Sequence, residues 1–200
     1  MKINLKDLFD IQENVNLEVS KKLGREISVE EYMLAFTVEF YELVNAIGTW
    51  KWWKHSHVPN REKVLDELAD CFAFYLSMVI ALGRSNEEIY NKLKEEIEMI
   101  TQEILDNLKN IENQLKEEDV EYSNIDNINN WIKFFGSNGD SVTSSSPEAF
   151  GFDIFDTFTK KFALAIYMVS ILFENITWNE IVNAYEKKSL ENIERQKRNY

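Results

Sequence analysis

The chain has 200 residues, enough for one domain with a sizeable core. Its 44% hydrophobic and 13% aromatic content excludes global disorder, and its formal charge of −13 argues against non-specific binding to nucleic-acid backbones. With only 2 prolines and 6 glycines, the composition favours long helices over strands and turns.

In chain order, Leu5, Leu8, Phe9, Gln12, Val15 and Val19 recur at helical spacing, which predicts a first helix over residues 4–22. The amino terminus MKINLKDLFD is amphipathic and acidic, and no secretory leader is expected. Ser28 with Glu31 three residues later fits a capping box. The stripe Met33, Phe36, Phe40, Leu43, Val44 and Ile47 then runs to a stop at Gly48. A turn, TWKWWKHSHVPN, follows. Asn60 opens a third helix through Val64, Leu68, Cys71, Phe72 and Tyr75 to Gly83. Ser85 or Asn86 caps a fourth, from Glu87 to about Glu118.

Residues 116–150 are rich in Asn, Asp and Ser and read as a polar insertion or mobile loop, with a short helical turn around Trp131–Phe135. A helix is expected again from Asp156 to Glu174. Thr177, with Glu180 at the third helical position, caps the last one. The class is all-α, a single domain over 1–200. The apolar runs around Cys71–Leu82 and Phe162–Phe173 are too short or too interrupted to span a membrane, so no membrane partner and a cytoplasmic location are expected. Cys71, the single cysteine, can form no intrachain disulfide and is expected to be buried.

Two acid pairs flank the tryptophan turn: Glu39 with Glu42, and Glu67 with Asp70. Helical residues three apart share a face. If the two helices fold back on one another, the four carboxylates converge at the edge of the apolar stripes. Unpaired, they would repel and be costly to desolvate. Hard divalent cations, Mg²⁺ or Mn²⁺, resolve this because they take oxygen ligands. One such pair is ordinary surface charge; two on adjacent helices carry more weight. A di-iron bundle would need Glu-x-x-His, and no histidine lies at such a position. His55 and His57 form an H-x-H without a partner cluster.

Trp50, Trp52 and Trp53 cannot all be buried in a short turn, so at least one is expected to close a pocket or an interface. Lys51 and Lys54 lie beside them, placed to steer phosphate oxygens or to balance the acids. Gln12 and Asn16 share a face of the first helix, and an amide matches the edge of an imide such as uracil. Near the carboxyl terminus, Lys188, Asn192 and Arg195 form one helical stripe in a locally basic segment.

Together these segments resemble the dimeric all-α dUTPases of the all-α nucleoside triphosphate pyrophosphatase group. LFDIQENVN resembles that family's Leu-Gln-x-x-Leu-Asn helix. EFYELVNAIGTWKWWK resembles its Glu-x-x-Glu helix and Trp-Lys turn, ELAD its Glu-x-x-Asp motif, and KSLENIERQ its Lys-x-x-x-Asn-x-x-Arg-Gln close. The chain departs at Asn45, where many members carry an acid, and Asn45 is not counted as a ligand.

The resemblance implies Mg²⁺-dependent hydrolysis of dUTP, and of dUDP, with dUMP and pyrophosphate released from dUTP. It implies that Glu39, Glu42, Glu67 and Asp70 hold the metal and that Glu39 or Glu42 handles the water; the sequence does not settle which phosphorus is attacked, although the family leans towards the β position. It further implies phosphate contacts from Lys188, Asn192, Arg195 and Lys51 or Lys54, uracil contacts from Gln12 and Asn16, an aromatic contact from Trp50, Trp52 or Trp53, and a homodimer. The alternatives are a MazG-like or dCTP-directed pyrophosphatase on the same fold, and a helical regulator that binds a protein partner through 116–150.

Overall fold

A computed structural model of the protein describes residues 1–54, 58–84, 87–117, 128–130 and 147–198, with side chains left undescribed at 89, 115–117 and 147–156. Six long helices run through them: α1 Lys6–Leu23, α2 Val29–Ile47, α3 Arg61–Gly83, α4 Glu87–Glu117, α5 Pro147–Leu172 and α6 Trp178–Lys197. There is no strand among the described residues. None of the helices is long and apolar enough to cross a membrane.

Local chemistry sets most of the boundaries. The Ser28 side chain accepts from Glu31 N at 3.2 Å while Ser28 N donates to Glu31 Oε2 at 2.9 Å, closing the capping box of α2. Gly48, at φ 69°, ends that helix by donating its N–H to Val44 O, a conformation that glycine adopts without a Cβ penalty. Asn60 caps α3 through Lys63 N at 3.0 Å, and Thr177 with Glu180 forms a second capping box on α6.

α3 is the central helix and packs against all five others. Its run from Cys71 to Ile80 is apolar almost all round, the pattern of a helix buried on every side. α2 folds back along it as its most extensive partner, and α1, α4, α5 and α6 complete the shell. Tyr75 stacks on Phe162 of α5 at 4.0 Å between ring centroids, and Phe72 meets Phe162, Trp178 and Tyr185. Cys71 is free and buried. At the α3–α4 junction, Gly83 admits the ring of Tyr90: a Cβ there would lie 2.5 Å from Tyr90 Cδ2.

The polar stretch differs from expectation in one respect. α5 starts at Pro147, not at Asp156, so it reaches into the segment read as insertion. Proline suits a first helical turn because its φ is preset and its missing N–H has no partner to lose there. Residues 128–130 form a helical turn with Ile128 fully buried. Asn129 Oδ1 accepts from Thr49 Oγ1 at 2.9 Å and Asn129 Nδ2 donates to Thr49 O at 3.3 Å, which ties this piece to the tryptophan turn. The turn expected at Trp131–Phe135, the caps Ser85 and Asn86, and His55 and His57 lie outside the described residues.

Candidate active site

α2 ends at Ile47, α3 begins at Arg61, and the two run antiparallel. Phe36 meets Tyr75 at 5.9 Å, which fixes their register in the core. One turn away, Glu39 comes opposite Asp70. Phe40, Leu43, Leu68 and Cys71 beside them are buried, so the acids sit where the apolar seam meets solvent. Glu39, Glu67 and Asp70 each bring a carboxylate oxygen within 4.8 Å of the other two. Glu42 is exposed and lies outside this triad, although its charge is felt by both Glu39 and Glu67.

Electrostatics mark the triad as unusual. Burial pushes the Glu39 carboxyl up to about 7, and the charges of Asp70, Glu42 and Glu67 add to the effect. Burial also raises Glu67, with Glu42 and Asp70 contributing. Asp70 is raised by burial in spite of its bond to Lys188. Partly desolvated, mutually repelling and made only of carboxylates, the set fits a hard divalent cation and offers no nitrogen or sulfur donor for a softer one.

α6 brings the cation stripe to the same place. Lys188 Nζ lies 2.7 Å from Asp70 Oδ2 and 3.4 Å from Asp66 Oδ2, with side-chain exposures of only 13% and 15% at Lys188 and Asp70. Burial alone would lower the Lys188 ammonium, but its bond and charge contacts with Asp70 and Asp66 outweigh that and raise it. Asn192 is half-buried one turn further on. Arg195 is exposed and pairs with Glu191 at 3.9 Å, yet its charge still favours ionised Asp70.

In the turn, Trp52 is 83% exposed, and Trp50 and Trp53 are about half exposed. The three rings pack edge to face, Trp53 at 5.3 Å from Trp50 and 5.6 Å from Trp52. Lys51 Nζ donates to Asn45 O at 2.9 Å at the end of α2 and lies 5.4 Å from the Trp50 ring. Lys54 is exposed.

Gln12 and Asn16 are not on the surface. Gln12 Nε2 donates to Asn16 Oδ1 at 3.0 Å and to Ser77 Oγ at 2.9 Å, and Ser77 Oγ donates to Asn16 Oδ1 at 2.8 Å. Tyr185 OH donates to Gln12 Oε1 at 2.9 Å. Gln12 is thus committed on both sides, while Asn16 Nδ2 is buried with no hydrogen-bond partner among the described residues. Asn16 borders a cleft of about 480 Å³ lined also by Ser20, Ile80, Gly83, Arg84 and Tyr90. Ser77 lies seven residues beyond Asp70 on α3, nearly two turns along the same face and about 10 Å away at 1.5 Å per residue.

Three of these residues could not be found by motif. Ser77 and Tyr185 are ordinary core positions by type, and only their helical spacing from Asp70 and Lys188 places them in line. Asp66 is one acid among 35 in the chain, and its bond to Lys188 depends on how α6 crosses α3. A family model described as dUTPase matches residues 4–200. Neither a curated protein nor a solved structure matches the chain.

Proposed function

The chain belongs to the dUTPase family and is an enzyme, a dUTP diphosphatase; on that premise we propose that it hydrolyses dUTP, and dUDP, with Mg²⁺ dependence, releasing dUMP and pyrophosphate from dUTP. The observation that carries this reading is the triad of Glu39, Glu67 and Asp70 with Lys188 against it. The triad would hold the metal, Mg²⁺ or Mn²⁺, with exposed Glu42 completing the set at its mouth. When bound, the metal supplies charge neutralisation for the phosphates and lowers the pKa of a water.

The other roles fall to the chain's own groups. Glu39, within the triad, orients the attacking water and takes its proton as general base. Lys188, Asn192 and Arg195 hold phosphate oxygens, so local cations oppose the overall acidic field. Lys51 or Lys54, in the turn after α2, adds a further phosphate contact. An indole of Trp50, Trp52 or Trp53 packs on the base or the deoxyribose. Asn16 Nδ2, buried and unpartnered, donates to a uracil carbonyl, and Gln12 holds Asn16 in that orientation. The active form is a homodimer and works in the cytoplasm, apart from nucleic acid and membrane, with residues 116–150 as the contact for a protein partner.

The test is Mg²⁺-dependent pyrophosphate release, profiled over dUTP, dCTP, dTTP and UTP. dUTP should be turned over best, and Glu39→Gln should lower kcat by about 10²–10⁴, the range for loss of a general base. Equal turnover of dCTP would sink the uracil assignment, and an unchanged kcat in Glu39→Gln would remove the proposed base.

A further inference from the structure

Lys188 sits between two carboxylates one turn apart on α3. Its Nζ is 2.7 Å from Asp70, a member of the triad, and 3.4 Å from Asp66, which is not. Asp70 and Lys188 are both largely shielded from water, whereas the Asp66 side chain is 48% exposed. An ammonium at 2.7 Å places a positive charge beside the carboxylate that a divalent ion would need. Two cations cannot share that carboxylate without strong repulsion at such low exposure.

We propose that Lys188 is an internal competitor for the metal at Asp70, and that Asp66 is the positioning residue that receives the ammonium when the metal takes Asp70. This rests on the metal reading given above. Passing Lys188 to Asp66 keeps the ammonium paired and within reach of the phosphates. Metal entry is thereby linked to the release of a phosphate-binding cation, so metal and phosphate each favour the binding of the other. Linkage requires the reciprocal effect, so a phosphate that draws Lys188 away from Asp70 tightens metal binding.

The experiment is calorimetric titration of the full chain with Mn²⁺ alone, at one pH and without nucleotide. Lys188→Met, with Lys188→Gln as a second variant should the first melt early, should bind Mn²⁺ about fivefold tighter or more, the low end of ordinary coupling between two ligands. Lys187→Met makes the same change in net charge at a lysine that is 62% exposed and 3.9 Å from Glu62, and should leave Mn²⁺ affinity unchanged. Asp66→Asn should weaken Mn²⁺ binding in the native background and have little effect beside Lys188→Met, since a positioning residue acts only through its partner. Binding by Lys188→Met no tighter than by Lys187→Met overturns the proposal, as does an Asp66→Asn effect that persists without Lys188. If all variants bind Mn²⁺ equally, only this inference fails. If none binds it, the metal reading fails and takes the inference with it.

Discussion

Glu39 is the residue whose setting says most about the site. Its carboxyl stands at about 7 against an ordinary 4.5, chiefly because it is partly desolvated and secondly because Asp70, Glu42 and Glu67 surround it. The folded chain therefore holds this proton more tightly than the unfolded chain. The stability gained from it is fully present below pH 4.5 and is lost as pH rises through about 7. Metal-free protein should show a thermal midpoint that falls across that window, with a shallower fall in Glu39→Gln and recovery on adding Mg²⁺. A profile identical in native protein and variant would count against the assignment. The acids were readable in advance because spacing alone puts Glu39 with Glu42, and Glu67 with Asp70, on shared faces. The withdrawal of Glu42 from the triad was not, because it depends on side-chain exposure at one rim of the α2–α3 seam. For the same reason the burial of Gln12 and Asn16 was not readable: two amides at helical spacing look alike on a wet face and in a core.

Among the elements, helix ends were the most legible feature, because caps are local chemistry. Ser28, Asn60 and Thr177 each cap as their neighbours imply. The start of α5 was harder, since the Asn- and Ser-rich composition before Pro147 gives no periodic signal. The contact of α3 with α4 turns on Gly83. Because Tyr90 Cβ and Cγ, and not only the outer ring, crowd the space beside it, α4 itself must shift to admit a methyl group. Gly83→Ala should therefore destabilise the fold by about 1–3 kcal/mol, the usual penalty for overpacking, seen as a lower urea midpoint. An unchanged midpoint would show that the junction is looser than its geometry implies.

For the molecule as a whole, the all-α architecture was evident from the scarcity of glycine and proline, while the crossing of α6 over α3 was not, because no local pattern encodes it. The outer face of α2 carries Leu34, Val38 and Tyr41 at spacings of four and three, exposed at 68%, 47% and 41%. Such a stripe suits a second copy of the chain, so sedimentation should give a dimer that Leu34→Glu shifts to monomer; a dimer indifferent to that change would place the interface elsewhere. The buried amides have a consequence of their own. Tyr185 has one hydroxyl proton and two acceptors in reach, Gln12 Oε1 at 2.9 Å and Leu8 O at 3.2 Å. Given to Gln12, it leaves Asn16 presenting an amino group, which greets a carbonyl. Given to Leu8, it lets both amides turn over, and Asn16 then greets an amine. Telling one pyrimidine from another would thus hang on a single hydrogen held by a helix that touches neither base edge. Tyr185→Phe should erode the preference for dUTP over dCTP in a direct competition, and an unaltered ratio would free the hydroxyl from that duty.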